Sequence, residues 1–321
     1  MIETANGAIG DDELGATLMH EHVFGLSPEI HWNWPDLPED WDFDRRVREA
    51  ADKLDEVKAL GIDTIVDLTV IGLGRYVPAI AAVAALTDVR IVVSTGIYTY
   101  DALPPYFANK GPESMFGGSD RMAEFFVRDI TEGIGRTGVR AGMLKCAVDR
   151  PGVTTGIARL LTAIASAHHD TGTPITVHTD SDNRRGLDAQ RELRDRGVDL
   201  ERVVIGHAGD STDLDYLRTL ADAGSWLGMD RFGVEFTSFE DRVATVVGLC
   251  ARGYAGRMVL SHDAYCFNDR VDPDIVAQRH PNYRYPHIPT DVLPELRRRG
   301  VSDEQITTMM VDNPRAILAS R

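Results

Sequence analysis

Short runs of β-branched and other apolar residues recur along the chain, each followed by a longer stretch with helical spacing. The runs are Thr17–Phe24 (TLMHEHVF), Thr64–Thr69, Arg90–Thr95, Val139–Val148, Pro174–Thr179, Arg202–His207, Ser225–Asp230 and Arg257–Asp263. Apolar runs of this length between helices fit parallel strands buried on both faces. The intervening stretches Arg45–Leu60, Tyr76–Leu86, Arg121–Gly135, Gly156–Thr171, Arg185–Gly197, Ser211–Gly224 and Phe239–Gly253 read as helices. Eight such units in ~260 residues predict an α/β fold, a (β/α)8 TIM barrel, over an open doubly wound sheet. No Gly/Ser/Pro-rich linker interrupts the pattern, so residues 1–321 are expected to form a single domain. Three connections are long: Leu26–Asp42, Tyr98–Asp120 and Ala264–Ile288. Loops of that length in a compact domain tend to be functional.

Composition narrows the partners. Hydrophobic residues make up 43% of 321, enough for a large core. Acidic residues outnumber Lys and Arg 50 to 34, a formal charge of -16, which disfavours nucleic acid and anionic headgroups. The three cysteines show no CxxC spacing, as expected for reduced thiols in a cytoplasmic protein. The first residues, MIETANGAIGDDELGATLMHEH, carry no secretory signal pattern, and no apolar run approaches the ~20 residues of a membrane span.

In such a barrel, chemistry collects at the carboxyl ends of the strands. Those ends offer His20 and His22 on the first strand, Lys145 on the fourth, and His178, His207 and Asp263 on the fifth, sixth and eighth. Residues i and i+2 of a strand share a face, so both imidazoles of His20-x-His22 can reach one ion. An HxH pair or a strand-end histidine is weak evidence alone. Four imidazoles and a carboxylate on one rim point to metal, with Zn, Fe, Mn, Co and Ni all compatible. Lys145 has two readings. It pairs with a strand-end carboxylate such as Asp67 or Asp230, or it is deprotonated or modified, because an ammonium is repelled by neighbouring cations.

The order HxH, Lys, His, His, Asp resembles the amidohydrolase superfamily. The segments TLMHEHVF, DLTVIGLGRY, STGIYTY, KCAVD, VIGHAGD, GMDRFG and LSHDA are similar to the phosphotriesterase family, especially its phosphotriesterase-like lactonase branch. The resemblance runs from Gly15 to the C-terminal DNPRAIL. It implies a binuclear centre of divalent transition-metal ions, zinc first, with cobalt, iron or manganese as alternatives. His20, His22 and Asp263 would hold the more buried ion and His178 and His207 the more exposed one. Lys145, carboxylated on its amine, would bridge them. It further implies attack by a bridging hydroxide, with Asp263 accepting the proton and Tyr98 of GIYTY orienting the hydroxide or assisting the leaving alkoxide. Arg231, beside Asp230, matches a residue near the pocket. His262 points away from Asp263 by strand alternation, toward a core role.

Aromatic residues on the long connections, among them Tyr98, Tyr265 and Phe267, suit a substrate with a hydrocarbon tail. The expected activity is hydrolysis of small neutral lactones, such as acyl-homoserine lactones or other γ/δ-lactones, with organophosphate triesters as side substrates. A dedicated phosphotriesterase and a non-catalytic metal-binding barrel are the alternatives. Deamination is disfavoured by the presence of Lys145 and the absence of a Glu in IGHAGD. The Trp-rich connection with Trp32, Trp34 and Trp41 is assigned to a homodimer interface.

Overall fold

The structure is a computed structural model describing residues 1–35, 41–111 and 114–319. Its centre is a nine-stranded parallel sheet. In chain order the strands are β1 (Thr17–Gly25), β2 (Thr64–Asp67), β3 (Arg90–Gly96), β4 (Met143–Val148), β5 (Ile175–Thr179), β6 (Val203–Gly206), β7 (Trp226–Met229), β8 (Met258–Leu260) and β9 (Tyr265–Asn268). Strands β1 to β8 follow one another across the sheet in sequence order, and β9 pairs with the free edge of β1. Every predicted strand is present. The fourth begins later than expected, at Met143, and the regular pairing of the eighth stops at Leu260.

Only four residues separate β8 from β9, so one stretch of chain reaches both ends of the sheet. Asp263 N donates to His20 O at 3.0 Å and His22 N to Ala264 O at 2.9 Å, carrying β1 past the break. The sheet is therefore curled, and the helices lie outside it. They include Phe43–Ala59, Val77–Ala84, Met122–Thr131, Thr155–Thr171, Arg185–Asp195, Leu214–Asp222 and Phe239–Cys250. Side-chain caps set several starts: Asp42 accepts from Arg45 N, Asp213 from Tyr216 N, and Ser238 from Asp241 N.

Two apolar clusters result. The larger lies between sheet and helices. The smaller fills the inside of the curl at its amino-terminal end with Met19, Val66, Val92, Met143, Val204, Trp226 and Val259, closed below by Ile2, Ile317 and Leu318. Side chains alternate with period two, so the next inward positions stand one layer higher. Lys145 follows Met143 in this way, Asp230 follows Trp226 by two steps, and Asp263 follows Val259 by two. The apolar layer thus becomes the floor of a polar one.

The long connections are partly structured. Tyr98–Asp120 contains the short helix Pro105–Ala108, and Leu26–Asp42 contains Pro28–Asn33. Residues 36–40 and 112–113 of these connections lie outside the described residues. Ala264–Ile288, expected as a loop, carries β9 and the helix Pro273–Arg279. Cys146, Cys250 and Cys266 are buried and unpaired. Among the described residues, no helix is long and apolar enough to cross a membrane.

Candidate metal centre

The six expected ligands meet at the carboxyl ends of the strands. His20, His22, Lys145, His178 and His207 are all buried, and Asp263 is half-buried. His20 Nε2 lies 3.2 Å from Lys145 Nζ and 3.4 Å from Asp263 Oδ1. His22 Nε2 lies 3.0 Å from the same carboxylate oxygen, and His207 Nε2 is 2.7 Å from His178 Nδ1. His20, His22 and Asp263 present donor atoms within 4.8 Å of one another, close enough to hold an ion.

Each ring is fixed through its other nitrogen. His20 Nδ1 and His207 Nδ1 both meet Asp230, at 2.7 and 2.8 Å. His22 Nδ1 meets Thr69 Oγ1 at 2.8 Å, and His178 Nε2 meets Asp149 Oδ2 at 2.5 Å. With the carboxylates accepting, the rings of His20, His178 and His207 donate outward and turn bare lone pairs toward the centre. Burial keeps three of these rings neutral: His20 is pushed down to about 4, and His178 and His207 are lowered too. Burial opposes ionisation of Asp230, but His207 and His20 outweigh it and hold its carboxyl well below the usual range. With their outer nitrogens donating to Asp149 and Asp230, His178 Nδ1 and His207 Nε2 face each other as acceptors at 2.7 Å, a pair suited to a cation.

Lys145 decides between its two readings by what surrounds it. No carboxylate lies within ion-pair distance of its amine among the described residues. Asp230 is engaged by His20 and His207, and Asp67 accepts from Thr69 N and Val23 N. Burial lowers the amine to about 8. A buried ammonium without a counter-ion is strongly disfavoured, so this position suits a neutral amine or one converted to an anion.

Backbone strain coincides with the site. Four described non-glycine residues have positive φ, and three are His207 (62°), Arg231 (63°) and Asp263 (60°). Such residues cost about 1–3 kcal/mol each and persist where surrounding contacts fix them. Each stands where a strand ends and turns its side chain across the mouth. Gly228 makes the same rim possible, because a Cβ there would sit 2.9 Å from Asp230 Oδ2. Between Leu18 and Glu21 the β1–β2 register shifts by a bulge, which re-aims the strand at His20.

Beyond the ligands, Arg231 Nε donates to Asp263 Oδ2 at 3.1 Å and its Nη1 to Asp210 Oδ2 at 2.8 Å. Tyr98 packs edge-on to His178, with ring centroids 5.1 Å apart, and its hydroxyl is paired with that of Tyr100. Burial, with Tyr100, raises the Tyr98 phenol well above its ordinary pKa, so it stays protonated. Tyr265 stacks on His22 at 4.3 Å. Phe267, paired in register with Phe24, packs on Trp41 beneath the Arg46 guanidinium.

A cavity of about 710 Å³ opens beside His178 and Arg231. Its wall is charged, with Asp149, Asp180, Asp182 and Asp210 beside Arg150 and Arg231, and apolar mainly at Tyr100, Pro151 and Phe236. The hydrocarbon-lined pocket expected from the rim aromatics is not what borders this side. Sequence reasoning missed Asp149, Thr69 and Asp210. Asp149 stands four residues after Lys145, on the same strand face, which was the available signal.

A rim of neutral imidazoles, a buried lysine and carboxylates on a curled parallel sheet is the arrangement of a hydrolase. The chain belongs to the phosphotriesterase family, whose model matches residues 1–318. It is 55% identical over 318 residues to the phosphotriesterase homology protein of Mycobacterium tuberculosis, covering 98% of this chain and 97% of that relative. It is 36% identical to an aryldialkylphosphatase of Saccharolobus solfataricus over 96% of each. The solved structure of the phosphotriesterase from Mycobacterium tuberculosis matches with a TM-score of 0.96 at 54% identity, covering 99% of this chain and 98% of that one.

Proposed function

We propose that the curled sheet is a closed (β/α)8 barrel with a binuclear metal centre, and that the protein hydrolyses lactones, with phosphotriesters as further substrates. The facing lone pairs of His178 Nδ1 and His207 Nε2, 2.7 Å apart, carry the metal part of this reading. His20, His22 and Asp263 would hold one ion, and His178 and His207 the other, with carboxylated Lys145 between them. Bound divalent ions, zinc first among the candidates, supply a Lewis acid and lower the pKa of water.

The chain's own residues do the rest. Burial opposes the ionised form of Asp263, but His20, the bond to His22, His207 and Arg231 outweigh it and keep it a carboxylate. It is therefore ready to accept the proton released as water attacks. Arg231 fixes its second oxygen and links it to Asp210 on the cavity wall. Tyr98, held protonated, can donate to the leaving alkoxide of an opened ring. Four aspartates against Arg150 and Arg231 leave the wall net negative, which suits a neutral lactone or triester and release of the acid product.

The substrates are small neutral esters, with no nucleic acid among the partners. Trp32 and Trp34, 78% and 57% exposed, are the surface we assign to a homodimer. The experiment is a panel of γ- and δ-lactones and paraoxon, run on metal-reconstituted protein. Ring opening supports the reading. Fast paraoxon hydrolysis with no lactone turnover replaces it with the phosphotriesterase reading, which the name of the Saccharolobus relative favours.

A further inference from the structure

Strand β1 presents His20 and His22 to the site and, by alternation, turns Glu21 the other way. Glu21 is fully buried, yet its carboxylate accepts three hydrogen bonds from the stretch on which Asp263 stands. The donors are His262 N at 2.9 Å, His262 Nδ1 at 2.7 Å and Ala264 N at 3.0 Å. Both amides flanking Asp263 thus end on one side chain. The amide of Asp263 itself donates to His20 O, and the Tyr283 hydroxyl donates to its carbonyl.

Asp263 needs such support. It lies in the gap where β8 has ended and β9 has not begun, so neither strand's ladder fixes it. Its φ of 60° is one that an aspartate adopts at a cost, and extended backbone is the cheaper alternative. In the observed conformation Asp263 Oδ1 comes to 3.0 Å from His22 Nε2 and 3.4 Å from His20 Nε2.

We infer that Glu21 is a positioning residue: its carboxylate, together with the Tyr283 hydroxyl, holds Asp263 in the conformation that aims it at His20 and His22. The inference rests on the reading of Asp263 as a metal-binding, proton-accepting group. It explains why the residue between two ligand histidines is an acid pointing away from the centre. A glutamine fills the same volume but has one accepting oxygen, and its amide NH2 would confront a backbone N–H, donor against donor.

The test uses full-length metal-free proteins titrated with cobalt, read by the visible absorption of the bound ion. Asp263→Asn is expected to weaken one of two ions. Glu21→Gln is expected to weaken that same ion by roughly 10–100-fold, the usual effect of losing a group that orients a ligand. His262→Ala removes the ring but leaves both amides on Glu21, and is expected to titrate as wild type. If Asp263→Asn itself titrates as wild type, the reading of the site fails. If Asp263→Asn loses an ion and Glu21→Gln does not, the positioning role is overturned while the site reading stands. An equal loss in His262→Ala also overturns it, because packing of the pair would then be the cause. Should Glu21→Gln fail to fold by circular dichroism, Tyr283→Phe enters the same titration. Weakening of that ion supports the inference, and a wild-type curve overturns it.

Discussion

Lys145 Nζ lies 3.2 Å from His20 Nε2, in a buried position where no carboxylate among the described residues is close enough to pair with it. A buried amine without a counter-ion is costly, and on the proposed reading this one is carboxylated and joins two ions. Two opposite effects should follow from one substitution. Lys145→Met is expected to raise the melting temperature of the metal-free protein, since an apolar side chain replaces a buried amine with no carboxylate partner among the described residues. It should also lower metal content and cut lactone hydrolysis more than about 100-fold, exceeding the effect of losing an orienting group. Lys145→Ala leaves room for short carboxylates, and acetate or propionate should restore part of the activity. Unchanged metal content in both variants would sink the bridging role.

Asp230 joins the two halves of the centre, because His20 and His207 each donate to one of its oxygens. In Asp230→Asn one oxygen remains, and the new NH2 faces a ring N–H. Affinity for metal should fall roughly 10–100-fold. Equilibrium dialysis against graded chelator, with metal analysis of the retained protein, measures it, and a wild-type curve would refute the coupling.

The pH dependence of the metal-free protein follows from the rings. Burial lowers His20 from 6.5 to about 4, and His178 and His207 move the same way. Below pH 6.5 the unfolded histidines bind protons that the folded ones refuse, so stability falls as pH falls. The loss should run from 6.5 toward 4 for His20. Asp230 and Asp263, both held well below 3.8, add a further loss only once pH drops below 3.8. Urea midpoints at about pH 7, 5.5 and 4.5 test the sign, and a flat profile contradicts it.

Tyr98→Phe separates the two substrate classes. An opened lactone leaves an alkoxide that benefits from a donated hydrogen bond, whereas nitrophenolate leaves without one. Lactone kcat/KM is expected to drop about tenfold, the worth of one such bond. Paraoxon hydrolysis should change far less. Equal losses on both substrates would remove Tyr98 from the leaving-group role.

Some of this was legible in the residues. Because inward positions recur every second residue, Met143 and Lys145 had to share a face, as did His20 and His22. The eight apolar runs fixed strand order, and sequential order brought their carboxyl ends to one rim. The choice among partners was not legible. Asp67 and Asp230 both end apolar runs, yet Asp230 turns to His20 and His207 whereas Asp67 caps the backbone at Thr69 and Val23. That Phe267 packs on Trp41 was not legible either, because it follows from β9 pairing with β1.

Element order, the floor of apolar side chains and the identity of the clustered groups were written in the residues, since all three depend on local periodicity. How those groups are held was settled by long-range packing. The break between β8 and β9, the left-handed turns at His207, Arg231 and Asp263, and the Glu21 contacts that span Asp263 join residues far apart in the chain. Such contacts depend on how the sheet curls, and no local pattern encodes them.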